Sequence, residues 1–81
     1  MKIRLLFFSV LRDITGSDEV EWNWRQGLTI AELLAEVFDR WPALEAWNSS
    51  LLLAINCNYV KRDATIPAES EVAFMPPVQG G

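Results

Sequence analysis

Thr29-Ile30-Ala31-Glu32-Leu33-Leu34-Ala35-Glu36-Val37-Phe38-Asp39-Arg40-Trp41 decides how the rest of the chain must be arranged. Thr29 and Glu32 have the spacing of a capping box, in which the Thr hydroxyl and the Glu carboxylate each accept a backbone N–H that the first helical turn leaves unpaired. Ile30, Leu33, Leu34, Val37, Phe38 and Trp41 then recur at i, i+3, i+4, i+7, i+8 and i+11, one apolar stripe of an α-helix. Glu32, Glu36, Asp39 and Arg40 take the opposite side. Pro42 disfavours a helical Trp41 and ends the element there.

Strand signals lie on both sides of this helix. Residues 2–11 begin with Lys2 and Arg4 alternating with Ile3 and Leu5, then turn apolar on both faces, the pattern of a strand inside a sheet. Thr15-Gly16-Ser17-Asp18 signals a turn. Glu19-Val20-Glu21-Trp22-Asn23-Trp24 alternates strictly and reads as a second strand, joined to the first as a hairpin. Beyond the helix, Ala43–Ser50 reads as a loop or a short helical turn, and Leu51–Ile55 as a buried strand. Asn56-Cys57-Asn58 reads as a turn, Tyr59-Val60 as the start of a returning strand, and Pro67-Ala68-Glu69-Ser70 as another turn. Glu71-Val72-Ala73-Phe74-Met75 is a last strand with Val72 and Phe74 on one face. Pro76-Pro77 stops it, since neither residue can donate to a ladder. The order β-β-α-β-β-β predicts an α+β domain, a mixed sheet of four to five strands crossed by one main helix. The compact domain is expected over residues 1–75, with an extended tail over 76–81.

Composition narrows the function. The chain has 81 residues, 51% of them apolar and 22% charged, which suits one small globular domain. A net charge of −4 without a basic stripe argues against nucleic acid. There is no His, which removes His-based acid–base chemistry and most zinc sites. One Cys, Cys57, allows no intrachain disulfide and fits a reducing compartment, so a cytoplasmic location is expected. The apolar start is too short for a signal peptide and is closed by Arg12 and Asp13, and no stretch approaches the length of a membrane span.

The remaining candidate for chemistry is the end of the chain. A chance Gly-Gly terminus occurs in roughly one chain in 200 from average glycine usage, so the pair alone carries little. Its setting carries more: a strand, Pro76-Pro77, Val78-Gln79, then Gly80-Gly81. Two prolines stiffen an extended backbone. Six extended residues reach about 20 Å, and the glycines add no width. Such a tail can pass a narrow channel and present the α-carboxylate of Gly81 inside another protein. A frayed terminus accounts for glycines but has no need of the stiffener. A carboxylate must be activated before it accepts sulfur or an amine. The chain has no phosphate-cradling loop, so an external enzyme is expected to do this.

Ala54-Ile55-Asn56, Tyr59-Val60 and the run Glu71-Val72-Ala73-Phe74-Met75-Pro76-Pro77-Val78-Gln79-Gly80-Gly81 resemble the small subunit of molybdopterin synthase, as does Leu6-Phe7-Phe8-Ser9-Val10-Leu11-Arg12-Asp13 at the other end. The resemblance covers the whole chain and implies the ubiquitin-like β-grasp fold. It implies a sulfur carrier of molybdenum cofactor biosynthesis that is no enzyme on its own. On this resemblance, Gly81, preceded by Gly80, would be adenylated by a ubiquitin-activator-like enzyme that uses ATP and Mg²⁺, and a sulfurtransferase system would convert it to a thiocarboxylate. Inside the large catalytic subunit, with which it would form a heterotetramer, the tail would give sulfur to cyclic pyranopterin monophosphate. This chain itself is expected to bind no cofactor and no metal.

By position, the resemblance assigns partner contacts to Phe8, Tyr59 and Met75, and to Pro76, Pro77, Val78 and Gln79 along the tail. Phe8 and Met75 read equally well as core residues. The family's Asp-Gly-Asp turn before the last strand is Ala68-Glu69-Ser70 here, a change of turn chemistry. Cys57 reads as a passive small residue in its turn. Trp22, Trp24 and Trp41 fall at core spacing, and Lys61-Arg62 reads as a solvated surface. Two other readings stand beside the first. One is a different ubiquitin-like carrier, of the thiamine pathway or a ubiquitin-related modifier. The other is a β-grasp interaction module without covalent chemistry.

Overall fold

A computed structural model describes residues 1–77 of the chain. Five strands form one mixed sheet: β1 (Lys2–Phe7), β2 (Glu19–Asn23), β3 (Leu52–Ile55), β4 (Asn58–Tyr59) and β5 (Glu71–Met75), in the order β2-β1-β5-β3-β4. The helices are α1 (Val10–Thr15) and α2 (Ile30–Arg40), and a 3₁₀ helix runs from Pro42 to Ser50. The expected α+β architecture is present, with α2 packed on one face of the sheet. Neighbouring strands are antiparallel except β1 and β5, which run parallel. A parallel pair needs a long crossover, and everything between β1 and β5 supplies it.

The alternation in β1 sorts its residues by face. Ile3, Leu5 and Phe7 point inward and are buried. They meet Val72 and Phe74 of β5, Leu53 and Ile55 of β3, and the α2 stripe of Ile30, Leu33, Leu34 and Val37. Leu11, Leu28, Leu44, Leu51 and Ile66 complete the core from the connections. The capping box forms as the spacing predicts: Glu32 N–H donates to Thr29 Oγ1 at 3.3 Å and Thr29 N–H to Glu32 Oε1 at 3.1 Å. The next two helical N–H groups are also taken, Ile30 by the Ala64 carbonyl and Ala31 by that of Arg62.

Four local expectations need correction. The first strand ends at Phe7, not residue 11. Ser9, at φ 53°, breaks it, and Val10–Thr15 is a helix closed by Gly16 at φ 78°. Six residues are too few for a clear helical period, but Leu11 and Gly16 were its signals: a buried residue and a left-handed stop. The β1–β2 pairing of a hairpin is present, with α1 inside its connection. The segment after α2 is a full 3₁₀ helix, and its inward residues Leu44 and Trp47 follow Trp41 at intervals of three, the 3₁₀ period. The returning strand is Asn58–Tyr59 rather than starting at Tyr59. Finally, Arg62 is not merely solvated: it donates to Oδ1 of Asn48 at 2.6 Å and to the Asn48 carbonyl, tying the loop after β4 to the 3₁₀ helix.

The tryptophans belong to the packing. Trp41 lies edge-on to Phe7 at 5.3 Å between centroids and beside Trp22 at 5.7 Å. Trp24 Nε1 donates to the Ile66 carbonyl at 2.7 Å. Trp22 Nε1 donates to Glu36 at 2.8 Å, and Arg25 holds the same carboxylate at 2.7 Å. These bonds clamp the edge strand β2 to α2. Every buried side-chain polar atom among the described residues has a partner.

Candidate functional site at the end of the sheet

Among the described residues no helix covers the sheet's second face, and its two halves differ. On the β1–β2 side it is charged. Arg4 pairs with Glu71 and lies 3.5 Å from Glu19, while Lys2 donates to Asn23. Toward the other end it is apolar. Leu6 and Phe8 follow the even-numbered face of β1, Ala73 and Met75 the odd-numbered face of β5, and Ala54 the even-numbered face of β3, paired with Tyr59 of β4. Leu6, Phe8, Ala54, Cys57, Tyr59, Glu71, Ala73 and Met75 line one groove of about 220 Å³.

Phe8 is 45% exposed and Tyr59 71% exposed. Met75 is half-buried on the same face. Phe8 and Met75 are therefore not core residues; the core positions are their neighbours Phe7 and Phe74. Three residues far apart in sequence are brought together in one exposed apolar patch, a kind of surface often used in recognition. Leu6, Ala54 and Ala73 line the groove as well and went unread in the sequence. Face parity was the available signal, since Leu6 shares its side with Phe8 and Ala73 with Met75.

The position of the groove matters as much as its content. β5 is the middle strand, and its C-terminal end lies beside that of β1: Phe7 pairs with Phe74, and Phe8 N–H donates to the Phe74 carbonyl at 3.2 Å. The chain leaves the sheet from this middle strand at Met75, directly next to the groove. Pro76 and Pro77 follow, half-buried and outside the ladder. The expected contact and attachment positions Val78, Gln79, Gly80 and Gly81 lie outside the described residues.

Cys57 is an exposed free thiol at φ 71° in the β3–β4 turn, on the margin of the groove. Among the described residues no group of three His, Cys, Asp or Glu side chains could hold a metal, and no helix is long and apolar enough to cross a membrane.

A helix-crossed mixed sheet with parallel β1 and β5, the middle strand running out beside an apolar open face, defines the chain as a ubiquitin-like β-grasp protein. Residues 5–81 match the ThiS family, and the chain belongs to that family. It is 37% identical over 81 residues to the molybdopterin synthase sulfur carrier subunit of Escherichia coli K12, covering 98% of this chain and 99% of that protein. Among solved structures it superposes on a putative molybdopterin converting factor subunit 1 from Pyrococcus furiosus with a TM-score of 0.86 at 23% identity, over 96% of this chain and 99% of that one. A chain in the complex of subunits 1 and 2 of molybdopterin-converting factor from Helicobacter pylori 26695 matches with a TM-score of 0.70 at 20% identity, over the full length of both. These structural likenesses establish the shared fold.

Proposed function

We propose that this chain is the sulfur-carrying small subunit of a two-subunit molybdopterin synthase. It has no catalytic role on its own; its work is to present the Gly81 carboxyl to other enzymes. The full-length similarity to a protein of that name supports the reading, but the observation that carries it is geometric. An exposed apolar groove lies at the one place on the sheet from which the chain's end departs. A partner seated on Phe8, Tyr59 and Met75 holds Pro76, Pro77, Val78 and Gln79 at its surface, within reach of its interior.

The chemistry follows from what a carboxylate lacks. Gly81 carboxylate attacks the α-phosphorus of ATP on an adenylating enzyme, with Mg²⁺ bound there, and pyrophosphate leaves. The outer sulfur of a sulfurtransferase persulfide displaces AMP to give an acyl disulfide, and a thiol then cleaves its S–S bond, leaving the thiocarboxylate and a disulfide. In the large subunit this sulfur is transferred to cyclic pyranopterin monophosphate, and water restores the carboxylate. Gly80 and Gly81 have no side chain to obstruct either active site.

Intact mass of the protein from cells containing the activating enzyme tests this. The expected form is heavier by the exchange of one oxygen for sulfur, with the change confined to the last residue. Deleting Gly81 is expected to abolish molybdopterin formation while leaving the thermal unfolding transition in place. A truncated protein that still supports synthesis refutes the mechanism.

A further inference from the structure

We infer that the docking surface continues across Phe8 into a second groove, and that this groove receives a basic side chain of the large subunit. The inference rests on the reading just given. Leu6 and Phe8 line the apolar groove on one side and, on the other, a separate cleft of about 340 Å³ completed by Phe7, Ser9, Arg12, Asp18 and Glu19. Phe8 is thus a ridge between an apolar trough and a polar-rimmed one.

Topology puts both at the end of the sheet from which the tail leaves. Glu19 stands opposite Leu6 in the β1–β2 ladder, and Phe7 N–H donates to the Asp18 carbonyl at 2.9 Å. A partner covering Phe8 and Met75 must therefore also lie over the start of β2.

The rim is charged but loosely organised. Arg12 lies 3.5 Å from Asp18, and Arg4 lies 3.5 Å from Glu19, with all four side chains about half or more exposed. Exposed pairs at this distance contribute little to the fold, so a partner's charges can replace them at small cost. Two arguments fix the sign. In the cleft itself Asp18 and Glu19 outnumber Arg12, in a chain of net charge −4. The cargo argues the same way. A subunit that admits an anionic thiocarboxylate and a phosphate-bearing substrate needs cationic groups near its entrance. The apolar trough then governs how long the complex lasts, and the polar cleft governs how fast it forms.

The test is association kinetics of the folded carrier with the purified large subunit at low and high salt. Asp18→Asn with Glu19→Gln is expected to slow association about fivefold at low salt, to flatten its salt dependence and to leave dissociation nearly unchanged. Asp39→Asn with Glu45→Gln removes the same net charge from the cleft between α2 and the 3₁₀ helix, and is expected to leave association within about twofold of wild type. Equal slowing by both pairs makes the effect one of net charge and overturns the inference, as does no slowing by the first pair. A wild-type carrier that fails to bind the large subunit at all overturns the proposed function itself, and the inference with it.

Discussion

Tyr59→Ala separates the cost of folding from the cost of docking. Tyr59 is on the two-residue edge strand β4, opposite Ala54, and is 71% exposed in the free chain. A Tyr buries about 200 Å² when fully covered, so roughly 140 Å² of it remains for a partner to cover. At about 25 cal/mol per Å² the ceiling for that burial is about 3.5 kcal/mol. The cost of ordering and incomplete desolvation lowers the expected loss to about 2 kcal/mol, a rise in Kd of about 30-fold. The fold has far less at stake, since the side chain touches little in the free protein and an edge-strand substitution is worth about 1 kcal/mol or less. Titration calorimetry against the large subunit, beside a thermal melt of the carrier alone, reads the two quantities independently. A Kd within about twofold of wild type, with folding intact, refutes the assignment of this face to the partner.

Two further predictions concern the body of the domain. Glu69 occupies φ 62° in the turn before β5, a conformation that costs a side-chain-bearing residue about 1 kcal/mol and glycine almost nothing. Glu69→Gly keeps the N–H bond to the Lys2 carbonyl and is expected to raise stability by about 0.5 kcal/mol after the added unfolded-chain entropy is subtracted; chemical denaturation that shows a loss instead removes the strain argument. Thr29→Ala takes away the hydroxyl half of the capping box and is expected to cost about 1 kcal/mol by the same measurement, with partner affinity unchanged because α2 lies on the face opposite the groove.

The sequence was most legible where one residue type has one physical use. Thr29 and Glu32 specified the start of α2, and the apolar stripe specified the face it buries. Val72 and Phe74 fixed which side of β5 is inward, although Met75 still read equally well as a core residue until the sheet placed it on the open face. Legibility failed where two periods overlap. From Ile3 to Leu11 the apolar residues run on with little interruption, so nothing in hydropathy separates six residues of strand from the first turn of α1; the break is a backbone angle at Ser9 that serine does not advertise. Phe7 and Phe8 are chemically identical neighbours, one in the core and one on the surface, and only the register of β1 against β5 tells them apart. The second cleft was out of reach for the same reason, since Asp18 and Glu19 acquire their meaning from lying opposite Leu6 and Phe7.

That dependence on register makes the docking surface a report on the folded state. Phe8, Ala54, Tyr59 and Met75 come from four strands or strand ends and share a face only when β5 lies between β1 and β3 in the observed alignment. A slip of one residue in β5 turns Phe74 outward and Met75 inward. It would place a third large aromatic on the open face beside Phe8 and Tyr59, and remove the ring that stacks on Phe7 at 5.1 Å. A partner that must receive the last carbonyl in a fixed position gains by recognising this surface rather than the tail sequence alone. Under the proposed function, a partner that contacts all four residues reads whether the strand beneath is in register. The parallel β1–β5 pair, the costliest feature of the topology to assemble because its crossover spans most of the chain, is the feature that places Phe8 beside the exit of the tail.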